Sequence, residues 1–142
     1  MVKLEPCALL IPSVETVLQN IETLSSVLAV RATALSDVIA AISDRLCQMA
    51  GKVEVDLESE SEDLWLGFQR WSNNWAIRIT DEDSDVGSDG RAPEDLTRVS
   101  VARKARAFPL LLQLLRKINE EQKRQLQSID SAFEMIKKME GN

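Results

Sequence analysis

Leu64-Trp65-Leu66-Gly67-Phe68-Gln69-Arg70-Trp71-Ser72-Asn73-Asn74-Trp75-Ala76-Ile77-Arg78-Ile79-Thr80 is the stretch on which the fold turns. Two runs rich in aromatic and β-branched residues flank a short polar break, the pattern of two strands joined by a tight turn. Asn accepts the positive φ of a type I′ turn, so the turn is expected at Asn73-Asn74, with residue 71 opposite 76, 70 opposite 77 and 68 opposite 79. Side chains alternate along a strand. One face then carries Leu64, Leu66, Phe68, Trp75, Ile77 and Ile79 and must turn to the core. The other carries Trp65, Gly67, Gln69, Trp71, Ala76, Arg78 and Thr80. Trp and Arg are the residue types in which binding energy concentrates. Trp65, Trp71 and Arg78 are therefore candidate contacts for a partner or ligand, unless another subunit or the neighbouring strand covers them.

Immediately upstream, Val53, Val55 and Leu57 alternate with Glu54, Asp56 and Glu58, a half-buried strand pattern. The β region thus spans about residues 53–80, as a hairpin or as three short strands.

Before it lies a helix expected over about residues 12–50, with Ser13 as N-cap, Glu15 in the first turn and Gly51 as its stop. Val14, Ile21, Leu28, Leu35, Ile42 and Met49 recur every seven residues, the spacing of a helix seam. Val17, Leu24 and Val38 widen that stripe, while Arg31 and Arg45 interrupt it. Such a helix would run roughly 55–60 Å at 1.5 Å per residue. A domain of this size has a radius of gyration of only about 14–15 Å, so it cannot cover the stripe. The six-residue column is therefore expected to be an oligomer interface.

Downstream, Asp81-Glu82-Asp83-Ser84-Asp85-Val86-Gly87-Ser88-Asp89-Gly90 opens an acidic segment read as a mobile loop over about 81–92. Its alternate carboxylates suggest a calcium loop, but Val86 stands where such a loop needs Gly and Ala92 where it needs Glu. Helices follow over about 94–107 and 109–140, divided at Pro109 because proline disfavours helix in the residue before it. Arg98, Arg103, Lys104 and Arg106 form the basic cluster, able to receive an anion or partner, or to pair with the acidic loop.

Composition removes several chemistries. The 142 residues contain no histidine and two cysteines, Cys7 and Cys47, in no CxxC arrangement. The usual zinc sites and His-based catalysis are excluded, and no metal or cofactor is expected. The net charge is -6, from 17 basic and 23 acidic residues, so nucleic acid is not the expected partner. No secretory leader and no uninterrupted apolar run of about 20 residues is read, which points to a cytoplasmic protein without membrane contact.

The expected fold is α+β and predominantly helical: one domain with a long N-terminal helix, a β-hairpin, an acidic loop, a short helix and a long C-terminal helix. The long helices would form an antiparallel, coiled-coil-like stem. The expected function is that of a non-enzymatic interaction protein of adaptor, accessory or inhibitor type. It would act as a homodimer or higher oligomer and bind another protein through stem and hairpin. The alternative is an oligomer holding a small anionic ligand or nucleotide between subunits with Arg78, Arg103, Arg106 and the hairpin tryptophans.

Overall fold

The computed structural model describes residues 4–87 and 90–141, with the side chains of the first helix from residue 12 onward. Helix α1 (Leu4–Gln48) leads into strands β1 (Val55–Ser59), β2 (Leu64–Trp71) and β3 (Asn74–Thr80). Two short strands, β4 (Val86–Gly87) and β5 (Gly90–Arg91), form a small ribbon. Strand β6 (Glu94–Asp95), a 3-10 turn (Leu96–Arg98) and helix α2 (Val101–Glu140) complete the chain. The main sheet is antiparallel in the order β1-β2-β3-β6.

The α+β class, the two long helices and the hairpin are as the sequence predicts, and so is the division of hairpin faces, but the first helix starts at Leu4, with Pro12 inside it, and not at an N-cap on Ser13. Leu64, Leu66, Phe68, Ile77 and Ile79 are buried on one side, with Trp75 packed against them. The turn, however, is Ser72-Asn73 and not Asn73-Asn74, both residues having positive φ (50° and 71°). Trp71 therefore opposes Asn74, Phe68 opposes Ile77 and Leu66 opposes Ile79. A shift of two keeps every side chain on its face. It also sets the Phe68 and Trp75 rings 4.9 Å apart and leaves Asn74 inside the strand.

The core lies between the sheet and the inner parts of both helices. Ile39 and Leu46 of α1 and Ala107, Leu110, Leu111, Leu114 and Ile118 of α2 join the sheet's apolar face, with Leu96 and Val99 sealing one end. A break at Pro109 does not occur: α2 runs through it without interruption. Pro109 and Ala105, whose carbonyl loses its helical donor, are both exposed, so water can take that bond, while buried neighbours hold the helix. Nor does the helix start near residue 94. Glu94–Asp95 pairs with β3, Asp95 caps the 3-10 turn by accepting from Thr97 N at 2.9 Å, and Ser100 caps α2.

The expected antiparallel stem is corrected by the contacts between the helices. Lys104 Nζ donates to Ser36 Oγ at 3.1 Å. Further along both helices, Leu115 shares a depression with Ile42, Leu46 and Met49. Beyond α1, Gln122 Nε2 reaches the Gly51 carbonyl at 3.4 Å. Residue numbers rise together, so the helices run parallel over their shared length. The intervening strands return the chain to the end at which α1 entered, and that return imposes the direction.

Parallel packing has a consequence for the rest of each helix. Residues 12–31 precede the shared zone and residues 123–140 follow it, and every residue in both stretches is exposed. They are two arms, roughly 30 Å and 27 Å long at 1.5 Å per residue, leaving the core at opposite ends.

Candidate functional site

Three places carry the candidate residues. On the outer face of the sheet, cross-strand pairing makes a row of Asp56, Gly67, Arg78 and Asp95. The Trp65 indole lies across Gly67, where an added Cβ would stand 2.7 Å from ring carbons. Its Nε1 donates to Asp56 Oδ2 at 3.1 Å. The Trp71 ring lies 4.5 Å from the Arg78 guanidinium carbon, across the small Ala76. Trp65, Trp71 and Arg78 are thus brought together as one aromatic and cationic platform, and Trp71 keeps 45% exposure. Strand β1 lies beside this face and does not cover it. The buried residues of both helices join the cluster on the opposite side, so no described helix covers it either.

The second place is an ion network. Asp81, 1% exposed, accepts from Arg103 Nη2 at 2.8 Å and from Arg106 Nη2 at 2.6 Å. Arg103 also spans both oxygens of Glu94 at 2.9 and 3.1 Å. Arg106 further contacts Glu82 at 2.8 Å and Asp83 at 3.1 Å. Burial pushes the Asp81 carboxyl up, but hydrogen bonds from Arg103, Arg106 and Ser84 outweigh it and hold it below 3.8. The Arg103 hydrogen bond likewise holds Glu94 below 4.5. Bonds to Glu94 and Asp81 raise Arg103, and the bond to Asp81 raises Arg106.

The acidic segment was expected to be a free loop. Its start is instead a turn closed by Ser84 N to the Asp81 carbonyl at 3.1 Å and bound to α2. Ser88 and Asp89 lie outside the described residues. Arg103 and Arg106 are therefore engaged by the chain's own carboxylates and stand apart from the hairpin platform, while Arg98 is exposed on the 3-10 turn. Sequence periodicity gave no sign that Asp81, one carboxylate among several, would be buried. Its position directly after β3 is the one available cue.

The third place is the arms. Val14, Ile21 and Leu28 of the six-residue column are exposed, Leu28 at 67%. Leu35 and Ile42 pack against the core, and Met49 is exposed at the end of the column. Val17 and Leu24 line the uncovered stripe beside them. On α2, Leu126, Ile129, Phe133 and Ile136 are exposed on the face that Leu111, Leu114 and Ile118 bury further back. Each arm thus prolongs the core-facing side of its own helix. Arg31 and Arg45, which interrupt the stripe, are exposed.

The segment Pro12–Gln48 is long and apolar enough to cross a membrane by length and composition, with mean hydropathy 1.5 and 6% burial in its most apolar window. Counting uninterrupted apolar runs overlooks it, because Ser, Thr and charged residues interrupt its apolar residues. Glu15, Glu22, Arg31, Asp37, Asp44 and Arg45 punctuate it, and its longest charge-free run is residues 23–30.

Among the described residues no His, Cys, Asp and Glu cluster is arranged to hold a metal ion. The Cys47 thiol donates to the Trp75 carbonyl at 3.2 Å, while the Cys7 side chain lies outside the described residues. Compared with protein-family models, curated proteins and solved structures, the chain matches none.

Proposed function

We propose that this chain is a non-enzymatic interaction protein that works in the cytoplasm as an oligomer. Its helical arms pair with arms of other copies, and the outer face of its sheet receives another protein. The observation that carries the reading is the continuation of each helix's buried apolar face along an uncovered arm. Because the arms leave opposite ends of the core, neither can cover the other within one chain.

The magnitudes support association. A Val, Leu or Ile taken from full exposure to burial contributes roughly 1.5–3 kcal/mol, and a half-exposed one about half of that. Val14, Val17, Ile21, Leu24 and Leu28 from two arms would contribute on the order of 10 kcal/mol. That is comparable to the roughly 4–15 kcal/mol that association costs in lost freedom. Closed two-fold symmetry is the common solution for such a self-complementary patch.

The charge on the stripe favours an antiparallel pair. A parallel, in-register pair would bring the two Arg31 guanidiniums together in the seam. Antiparallel pairing sets Ile21 against Leu24, Val17 against Leu28, and Arg31 against Val14 near the end of the arm, where a long stem can carry its charge to water. Sedimentation equilibrium of the whole chain tests the reading through its mass. Sedimentation with liposomes tests the competing idea that a lipid surface covers the first arm.

A further inference from the structure

We infer that the Arg78–Trp71 pair is a receptor for a single carboxylate carried on a partner polypeptide. The inference rests on the proposed use of the outer sheet face as a partner surface and supplies its chemistry. Arg78 has two acidic neighbours in its cross-strand row, and both are committed elsewhere. Asp56 accepts from the Trp65 indole, and Asp95 accepts from Thr97 N at 2.9 Å and Thr97 Oγ1 at 2.7 Å. Arg78 Nε is buried and has no acceptor within the chain. No ion pair to Arg78 is formed among the described residues, whereas Arg103 and Arg106 are held by several carboxylates. With Nε turned inward, the stacked guanidinium can offer a carboxylate the fork made by its Nη1 and Nη2 groups.

The surroundings select the ligand's charge. Arg78 supplies one positive charge beside Asp56 and Asp95, so a single carboxylate pairs with it one to one, whereas the second charge of a phosphate dianion would add only repulsion from the two aspartates. Trp71 at one side and Trp65 across Gly67 at the other offer flat apolar surface. The best-fitting partner segment therefore presents a Glu or Asp next to an aromatic or aliphatic side chain, with the acid on Arg78 and the apolar group on an indole.

The test uses the full-length chain labelled with 15N, following the Arg78 Nε–H and Trp71 indole N–H resonances by NMR. The probes are a capped peptide with Glu beside Phe, the same peptide with Gln in place of Glu, inorganic phosphate, and sodium chloride at matched ionic strength. Saturable shifts are expected with the Glu peptide, weakened at least about tenfold by Gln in the peptide or by Arg78→Gln in the protein. Arg78→Lys, which keeps the charge but loses the fork, should weaken binding as well. Phosphate should behave like chloride.

Equal binding of Glu and Gln peptides, or full binding by Arg78→Gln, would overturn the inference. So would saturation by phosphate with none by the Glu peptide, or shifts that only follow ionic strength. The oligomer reading fails separately. A monomeric chain that captures the Glu peptide overturns self-association alone, and an oligomer indifferent to it overturns the carboxylate site alone.

Discussion

Lys104 Nζ, in the first turn of α2, donates to Ser36 Oγ in the C-terminal third of α1 across 3.1 Å, and this bond ties the two long helices together where their parallel run begins. Lys104 is 7% exposed, so its ammonium depends on that hydroxyl more than a surface lysine would. Ser36→Ala should lower unfolding free energy by about 1–3 kcal/mol, as loss of a hydrogen bond to a charged buried group does. Lys104→Met should recover part of the loss in the Ser36→Ala background. Denaturant unfolding of the four proteins of this cycle measures the coupling, and additive effects would mean that the bond contributes nothing.

Asp81 anchors the segment after β3 to α2. Asp81→Ala removes the buried carboxylate that Arg103 and Arg106 share, leaving them Glu94, Glu82 and Asp83, and should cost at most about 3–5 kcal/mol, the range for breaking a buried ion pair. Asp83→Asn should cost less than about 1 kcal/mol, because that carboxylate is exposed. Asp81 and Glu94 are both held below their ordinary values of 3.8 and 4.5. Groups with depressed folded values contribute stability that is present above the unfolded values and lost as pH falls through the folded ones. Melting temperature should therefore be flat from about pH 5 to 8 and fall below about pH 4, where the unfolded chain takes up protons first. Thermal scans of the wild type and Asp81→Ala check this, with a shallower acid decline expected in the variant.

The helix column divides into two physical classes. Ile39→Asp places an unpaired charge at a side chain with 0% exposure and should unfold the domain, at a cost of several kcal/mol. Leu28→Asp sits on the uncovered arm and should leave the core's unfolding free energy in dilute solution within about 0.5 kcal/mol of wild type. Comparable losses for both would mean that the arm is folded back onto the core.

The hairpin was legible because alternation in β2 and β3 fixes faces independently of register. The turn itself was not: Ser72-Asn73 and Asn73-Asn74 satisfy the same alternation, and only cross-strand packing, including Phe68 on Trp75, separates them. Among the candidate contacts, Trp65, Trp71 and Arg78 lie together as their shared face requires. Arg103 and Arg106 were absorbed by Asp81 and Glu94, partners remote in sequence that no local pattern reveals. Helix direction was equally invisible, since it depends on how many strands return the chain before α2 begins. Pro109 shows that a strong local signal yields when Ala107, Leu110 and Leu111 are all buried around it.

Orientation of the arms can be read from one label. A nitroxide at Thr33, an exposed position, lies about ten residues from the centre of an antiparallel pair in which Ile21 meets Leu24. Two labels would then be roughly 30 Å apart at 1.5 Å rise per residue, against about 10–15 Å in a parallel pair. Double electron–electron resonance distinguishes the two, and a short distance would reverse the proposed orientation.

Self-association through the arms is most directly tested by sedimentation equilibrium at micromolar concentration, in detergent-free buffer, on the wild type and Leu28→Asp. The chain mass is 15.9 kDa. A species of at least twice that mass is expected for the wild type, with association weakened at least about tenfold in the variant, since a buried seam charge costs well over about 1.4 kcal/mol. A wild type that sediments as a single chain while α1 remains helical would contradict the account.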